Sequence, residues 1–539
     1  MTAVGLSAAA PVAWRRRFLV LLPAVGVTGL AFAFGLLFAG VPLVAMLAAL
    51  GLLALVVCMA APSLATTVVI AILYSNAAAV AVRDHALPSF VAIAFPLLLA
   101  LPLADQLLLR RKAVVITSAL PYLFGYMLVE VLSTMGARDT ADATDSLIGF
   151  LISGFGLYFV ITNVVRTYSS LRSAVWVVLV VAAAIGALTT FQAATHTYGT
   201  DYAGFATVDL PGKDVAGETL LASTQGTPRS SGPVGETNRY GQVMLVLIPI
   251  GLMLALGERR PLLRRLAIVL TILIVLGMVT TFSRGAFLGL VAVLLIAVLF
   301  RYVRLAHLGL LAVTVVMLLV AFPKLGERLN ELQALAAIED SSVGQQIVGD
   351  SGNLRGRATS AVAALLVWAD HPLFGVGRGQ FQQYYEQYAG IVATQTSINA
   401  RIDFGESRQA HNLYTSVAAE TGALGFVFFI AVFLVTMLDL HRARRRWLTS
   451  RPEVAHLATG FFLGLVAYLV SGIALHLSYE RYLWFLLALA GAAAHMALRG
   501  DPDRDFEIIG ETRETGRLAP VVGRLAPRSV TARAPQPAR

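Results

Sequence analysis

Blocks of about 17 to 25 apolar residues recur along this chain, and each is long enough to cross a bilayer core of about 30 Å as a helix. About fourteen such spans are predicted, at 18–40, 41–61, 64–82, 87–106, 113–133, 146–165, 174–195, 241–257, 266–282, 286–302, 305–323, 412–439, 455–476 and 482–498. One block would be an anchor; this many form a membrane-embedded body. Of the 539 residues, 57% are hydrophobic and 13% charged, against about 25% charged in an average soluble protein. A soluble fold of this size could not hide that much apolar surface. The expected class is therefore all-α, a polytopic membrane protein. The first span is too long, and too closely followed by the second, for a cleaved signal peptide, and is expected to stay in the chain.

Short loops rich in arginine and lysine remain cytoplasmic. With a cytoplasmic N-terminus, six basic clusters fall inside: Arg15-Arg16-Arg17, Arg110-Arg111-Lys112, Arg166 with Arg172, Arg259-Arg260 with Arg264-Arg265, Arg301 with Arg304, and Arg442-Arg444-Arg445-Arg446. The loop with Asp139, Asp142 and Asp145 falls outside. A missed span would invert every later loop, so this agreement fixes the map. The net charge of +10 is largely spent on topology. Because it is dispersed over separate loops, nucleic-acid binding is not expected. The single cysteine, Cys58, lies within a span, which leaves no disulfide, cysteine metal cluster or redox pair.

The chain then divides into N-terminal transmembrane helices (1–195), an outer loop (196–240), transmembrane helices with an outward Ser-Arg-Gly turn (241–323), a large outer loop (324–411), C-terminal transmembrane helices (412–498) and a disordered cytoplasmic tail (499–539). In the large loop Val362, Leu365, Leu366, Ala369 and Leu373 form one apolar stripe ending at His371-Pro372, which predicts a helix on or in the outer membrane surface. Lys324 to Ile338 is a second candidate helix. Gly375, Gly377 and Gly379 read as a turn. They lack the Lys-Ser/Thr of a phosphate-binding loop and follow no strand. No metal-ligand spacing occurs.

Three outward segments carry the chemistry. If the twelfth span is helical from His411, then Thr415, Ala418, Gly422 and Gly425 share the histidine's face and make a small-residue surface below a titratable head. Glu420 falls on the opposite face and reads as a partner for another helix. The Phe282-Ser283-Arg284-Gly285 junction puts an arginine beside hydrocarbon, where it needs an anionic partner or must reach the headgroups. The segment Arg229 to Tyr240 brings Arg229 and Arg239 to the same side, and arginine suits bidentate phosphate binding. Convergence of these groups would give a grip for a pyrophosphate and a means to move a proton.

His411-Asn412, nine residues, Gly422, two residues and Gly425 resemble the H-N-x9-G-x-x-G signature of the bacterial O-antigen ligase and O-antigen polymerase superfamily. Ser283-Arg284-Gly285 looks like that family's Ser-Arg-Gly element. Asp370 to Gly377 looks like its motif before the histidine, and the order of the three agrees. The resemblance covers roughly 225 to 440. It implies a metal-independent, GT-C-like inverting glycosyltransferase of the bacterial cytoplasmic (inner) membrane, without cofactor. Such an enzyme takes glycan from undecaprenyl pyrophosphate on the periplasmic side, so the outer loops would be periplasmic. Carried over, His411 and Arg284 would be catalytic, and Arg229, Arg239, Asn412 and Arg378 would bind substrate. The acceptor would be a glycan, lipid A-core or a protein. Two features depart from the family: Arg378 stands where a small residue or proline is usual, and fourteen spans exceed the dozen typical of its ligases.

The expected step is abstraction of an acceptor hydroxyl proton by His411 as that oxygen attacks the anomeric carbon, with arginines stabilising the leaving pyrophosphate. A transporter or flippase is the competing class, but it would place charges or broken helices near mid-membrane, and here the spans are almost free of charge except Glu420 and, near an end, Glu130. A peptidoglycan-type polymerase would use an outward carboxylate, for which Asp403 and Glu406 are the candidates.

Overall fold

The computed structural model describes residues 62–88, 98–209, 228–302, 352–395, 409–475 and 481–499. The spans predicted at 18–40, 41–61 and 305–323, the helix predicted at 324–338, Cys58, Asp403, Glu406 and the tail from 501 lie outside the described residues. The elements run α1 (Pro62–Tyr74), α2 (Ala77–His85), α3 (Ala100–Ala104), α4 (Leu120–Met135), α5 (Thr140–Phe150), α6 (Leu157–Val164), α7 (Tyr168–Thr195), β1 (Thr207–Asp209), β2 (Arg229–Gly232), α8 (Thr237–Gly257), α9 (Pro261–Val279), α10 (Arg284–Leu299), α11 (Gly352–Asp370), α12 (Phe381–Gln395), α13 (Leu413–Trp447), α14 (Pro452–Ser471) and α15 (Arg481–Arg499). Among the described residues, seven helical stretches are long and apolar enough to cross a membrane, or eight if α1 and α2, bent by 50°, count as one span.

Local sequence sets the helix starts. Asp139 accepts from the Ala141 and Asp142 amides at 3.1 Å, so α5 begins at Thr140, ahead of the predicted 146. That helix continues through a π turn at Leu151–Gly156 into α6. Thr167 and Ser170 form a reciprocal capping box at the start of α7. Pro261 and Pro452 occupy the first turns of α9 and α14, where a missing N–H is harmless.

The centre of the body is α8, buried along most of its length and packed against α14 and α9. Gly460 and Gly464 of α14 lie against Ile250 and the Pro249 and Val246 carbonyls, so the two backbones approach closely. Around them Tyr126, Phe150, Phe429 and Trp484 form a ring cluster with centroid separations of 5.2 to 6.3 Å.

The body has two chemically different ends. Arg172 pairs with Glu258 at 2.5 Å, Arg259 with Glu453 at 3.4 Å and Arg442 with Asp439 at 2.9 Å, while Arg446 donates to the Leu498 carbonyl at 2.6 Å. These groups gather at one end of the helices. The opposite end carries the β1–β2 hairpin, the α9–α10 turn, the start of α13, and the helices α11 and α12.

The outer-loop helix predicted from its leucine stripe exists as α11, but a different face is buried. Ala363, Ala364 and Val367 pack on Phe381, Tyr385, Ala389 and Val392 of α12, whereas Leu365, Leu373 and Phe374 are exposed. Of the expected stripe, Leu365, Ala369 and Leu373 are exposed, while Val362 and Leu366 pack partly on the buried cluster.

Candidate functional site

The turn from α9 to α10 is four residues of tight geometry. Ser283 donates its amide to the Thr281 hydroxyl at 3.2 Å, and its own hydroxyl accepts from Ala286 to cap α10. Phe282 is held at φ 49°, a left-handed conformation uncommon for a bulky residue. Arg284 is thereby fixed as the first helical residue and half-buried.

Strand β2 lies over this turn. The Ser230 amide donates to the Thr280 carbonyl at 3.1 Å. The Arg229 guanidinium donates to the Thr281 carbonyl at 2.9 Å and to Asn238 Oδ1 at 3.0 Å. Arg239 pairs with Glu236 at 2.6 Å, and Gly241, one turn into α8, packs against Thr281 and Ser283. Arg229 and Arg239 are therefore held beside the turn that carries Arg284, a neighbourhood the sequence alone could not show.

His411 is not the first residue of a helix. It stands at φ 48° before the N-cap of α13, and Asn412 is that cap, accepting from Tyr414 and Thr415 at 2.9 and 3.1 Å. The Asn412 amide nitrogen donates to the Ile473 carbonyl at 2.9 Å. On the other side Ala410 is buried in the α11–α12 cluster with Ala363 and Val367. The histidine is held between two anchors. Its second anchor is shared: Leu413 packs on Gly472, and Gly285, next to Arg284, lies against Ser471 and Ala474. The residues that follow His411 and the residue that follows Arg284 thus rest on one turn, Ser471–Ala474, which ends α14.

The expected small-residue face below His411 is interrupted. Gly422 sits at φ 65°, ψ −169°, breaking α13. The break receives the glycine turn: Ala423 donates to the Pro372 carbonyl at 2.7 Å, and Val376 and Gly377 donate to the Ala419 and Glu420 carbonyls at 3.0 Å. A β-carbon on Gly375 would overlap the Glu420 backbone, and one on Gly422 the Leu373 backbone. Both glycines also have positive φ, so spacing and conformation alike demand them. The turn is a lock between the outer loop and α13.

Arg378 belongs to that lock. Its guanidinium pairs with Glu130 of α4 at 2.6 Å, with 2% and 0% of the two side chains exposed, and lies 4.7 Å from the Phe150 ring centre. Glu420 accepts from the Gly379 and Phe381 amides of the same turn, which is the interhelical role expected of it. The sequence reading put Arg378 with the substrate-binding groups; here its charge is already matched inside the protein. Asn412 likewise spends both ends of its amide on the backbone.

One arginine went unnoticed in the sequence. Arg357 of α11 is half-buried, and its Nε is buried with no hydrogen-bond partner among the described residues. Burial holds its pKa below the usual arginine value, with Glu236 and Arg284 both near enough to act on its charge. Among the described residues, Glu236 thus pairs with Arg239 and also acts on Arg357, which in turn feels the charge of Arg284. Only the charge pattern in space could have drawn attention to Arg357.

Among the described residues no three His, Cys, Asp or Glu side chains come together to hold a metal ion. No curated protein matches the chain. Residues 242–430, a stretch that includes Arg284, Arg357 and His411, match the family model described as O-antigen ligase. That match supports the resemblance of this segment to the O-antigen ligase and O-antigen polymerase superfamily.

Proposed function

We propose that this protein is a glycosyltransferase of the bacterial inner membrane that moves an oligo- or polysaccharide from undecaprenyl pyrophosphate to an acceptor hydroxyl on the periplasmic side. The observation that supports this reading is that the chain next to His411 and the chain next to Arg284 rest on the same Ser471–Ala474 turn, with Arg229 bonded to the Thr281 carbonyl and Arg357 within electrostatic reach of Arg284. In this reading the whole chain has about fourteen spans, its basic end is cytoplasmic, and the loops at 196–240 and 324–411 are periplasmic.

His411 takes the proton of the acceptor hydroxyl as its oxygen attacks the anomeric carbon from the face opposite the leaving group. The C–O bond to pyrophosphate breaks with inversion, and Arg284, Arg229, Arg239 and Arg357 carry the charge that develops on the departing oxygen. General-base help contributes about 10² to 10⁴ in rate. Stabilising the leaving group in a water-poor site contributes at least as much. No metal takes part, because the arginines supply the positive charge. Asn412 and Arg378 position the site rather than touch substrate.

The test is reconstitution of the purified chain with a lipid-linked glycan donor and, in turn, a second lipid-linked glycan, lipid A-core and a protein acceptor. Transfer that persists in the presence of a chelator and disappears in His411→Gln supports the reading. Unchanged transfer by His411→Gln, or flux of the lipid without a new glycosidic bond, would overturn it. A ladder on the carrier identifies a polymerase; a single addition identifies a ligase.

A further inference from the structure

At the end of the body opposite His411, a cavity of about 340 Å³ opens between the 112–117 segment, the α6–α7 turn and the last turn of α15. Its wall includes Lys112, Arg166, His495 and Arg499, and no carboxylate. The Arg166 guanidinium is held rigidly by the Asn163 carbonyl at 2.6 Å, the Ala113 carbonyl at 2.8 Å and Asn163 Oδ1 at 3.0 Å, all uncharged acceptors. Among the described residues Lys112, His495 and Arg499 form no ion pair. Asp439 faces His495 and Arg499 in the adjoining space, but its Oδ1 accepts from Arg442 at 2.9 Å.

Three permanent cations and a histidine around one cavity repel each other unless an anion sits among them. Arg166 is already fixed by three hydrogen bonds, and its remaining charge is unmatched. The rest of the wall is Val115, Val165, Ala492 and Met496 with two neutral hydroxyl residues, Thr162 and Thr167. Outside it, Val114 and Ile116 of the same extended segment stay exposed. A ligand suited to this surface is charged at one end and greasy at the other. Basic pockets between helix ends bind phosphate-bearing lipid headgroups for this reason.

We propose that this cavity is a binding site for the phosphate of an anionic phospholipid, with Arg166, Lys112 and Arg499 on the phosphate and the acyl chains along Val114 and Ile116. The site is separate from the transfer site and does not depend on the reading given for it. Its occupant pins the 112–117 segment to the α6–α7 turn and α15.

The full-length chain in neutral detergent is titrated with phosphatidylglycerol, phosphatidylcholine or inorganic phosphate at matched ionic strength, and thermal unfolding is followed. Phosphatidylglycerol is expected to raise the midpoint and phosphatidylcholine to leave it unchanged. Lys112→Gln with Arg499→Gln should require about five-fold more phosphatidylglycerol per charge removed. Arg264→Gln with Arg265→Gln, two exposed charges at the same end but outside the cavity, should respond as wild type. Equal shifts with the two lipids, a full response in the Lys112/Arg499 variant, or an equal loss in the Arg264/Arg265 variant would overturn the proposal. A full shift with inorganic phosphate alone would overturn the lipid as the source. Native mass spectrometry of the wild-type chain gives a readout that needs no variant: phosphatidylglycerol retained where phosphatidylcholine is stripped supports the site, and equal stripping refutes it.

Discussion

Asn412 donates its side-chain amide to the Ile473 carbonyl at 2.9 Å, and through that bond the residue after His411 is tied to the turn on which the neighbour of Arg284 also rests. One side chain therefore caps α13 and sets the distance between the proposed base and the proposed leaving-group arginine. Asn412→Asp keeps the cap and loses the donor, whereas Asn412→Ala loses both. The expected outcome is a transfer rate reduced about ten-fold or more by Asn412→Asp, with a melting temperature near wild type. Asn412→Ala should lose a further 0.5 to 2 kcal/mol or so of stability. A transfer rate unchanged in both would remove Asn412 from the positioning set.

Arg357 is expected to act on the donor. Replacing it with Gln should raise the KM for the lipid-linked donor about ten-fold or more, as loss of a charge-assisted contact of roughly 1.5 to 3 kcal/mol requires. Arg357→Lys should restore part of it. Steady-state kinetics at varied donor and fixed acceptor separate this from a folding defect, which would lower the active fraction and leave KM alone.

The pair of Glu130 and Arg378 should behave as a unit. Removing one partner leaves a buried charge uncompensated, a loss of about 3 to 5 kcal/mol, while Glu130→Gln with Arg378→Met should cost less than the sum. Thermal unfolding of the two single variants and the double variant measures the coupling. Strict additivity would mean that the charges do not depend on each other.

Gly375→Ala and Gly422→Ala each introduce a β-carbon into backbone across the lock and strain a positive φ. Either should destabilise the chain by about 1 to 3 kcal/mol or more. Either should also depress transfer, since Ala410, next to His411, is packed in the cluster that Val376 and Ala419 of this contact join. Alanine at Gly149, where nothing lies within 4 Å, is the matched control.

Tyr388 of α12 donates to Asp370 at 2.6 Å and anchors the end of α11. Burial, reinforced by the Asp370 carboxylate, pushes its pKa up to about 12. A raised value means that the folded protein holds the proton more tightly than the unfolded chain, whose tyrosine titrates near 10. The contribution is complete below pH about 10 and is lost as the pH rises through about 12. Wild type should lose stability across that window more steeply than Tyr388→Phe, as thermal melts at pH 8, 10 and 11 would reveal.

Much of this architecture is legible in the sequence because membrane spans are set by length and hydropathy. Helices α7, α8, α9, α14 and α15 each start within a few residues of a predicted span, and the basic clusters inside the described residues do gather at one end. Burial is a different matter. On α11 Ala363, Ala364 and Val367 are buried while Leu365 is exposed and Leu366 only partly buried, since small residues are what let helices approach. The break at Gly422 was unreadable for a related reason: a helical run gives no sign of a left-handed residue whose cause is a loop folded against it. Arg357 lies in an ordinary-looking stretch, and its partners come from distant elements.

The lock between Gly375 and Gly422 also dictates an order of events. The glycine turn leaves the ribosome well before the helix whose kink it fills, and that kink is followed by the two helices that carry the Ser471–Ala474 turn. Until α13 is made, the glycine turn has no kink to fill, and until the Ser471–Ala474 turn follows, His411 has no second anchor. The proposed catalytic arrangement is thus completed by the final third of the chain, so a protein truncated during synthesis would hold most of the arginines and is expected to be inert in the proposed transfer.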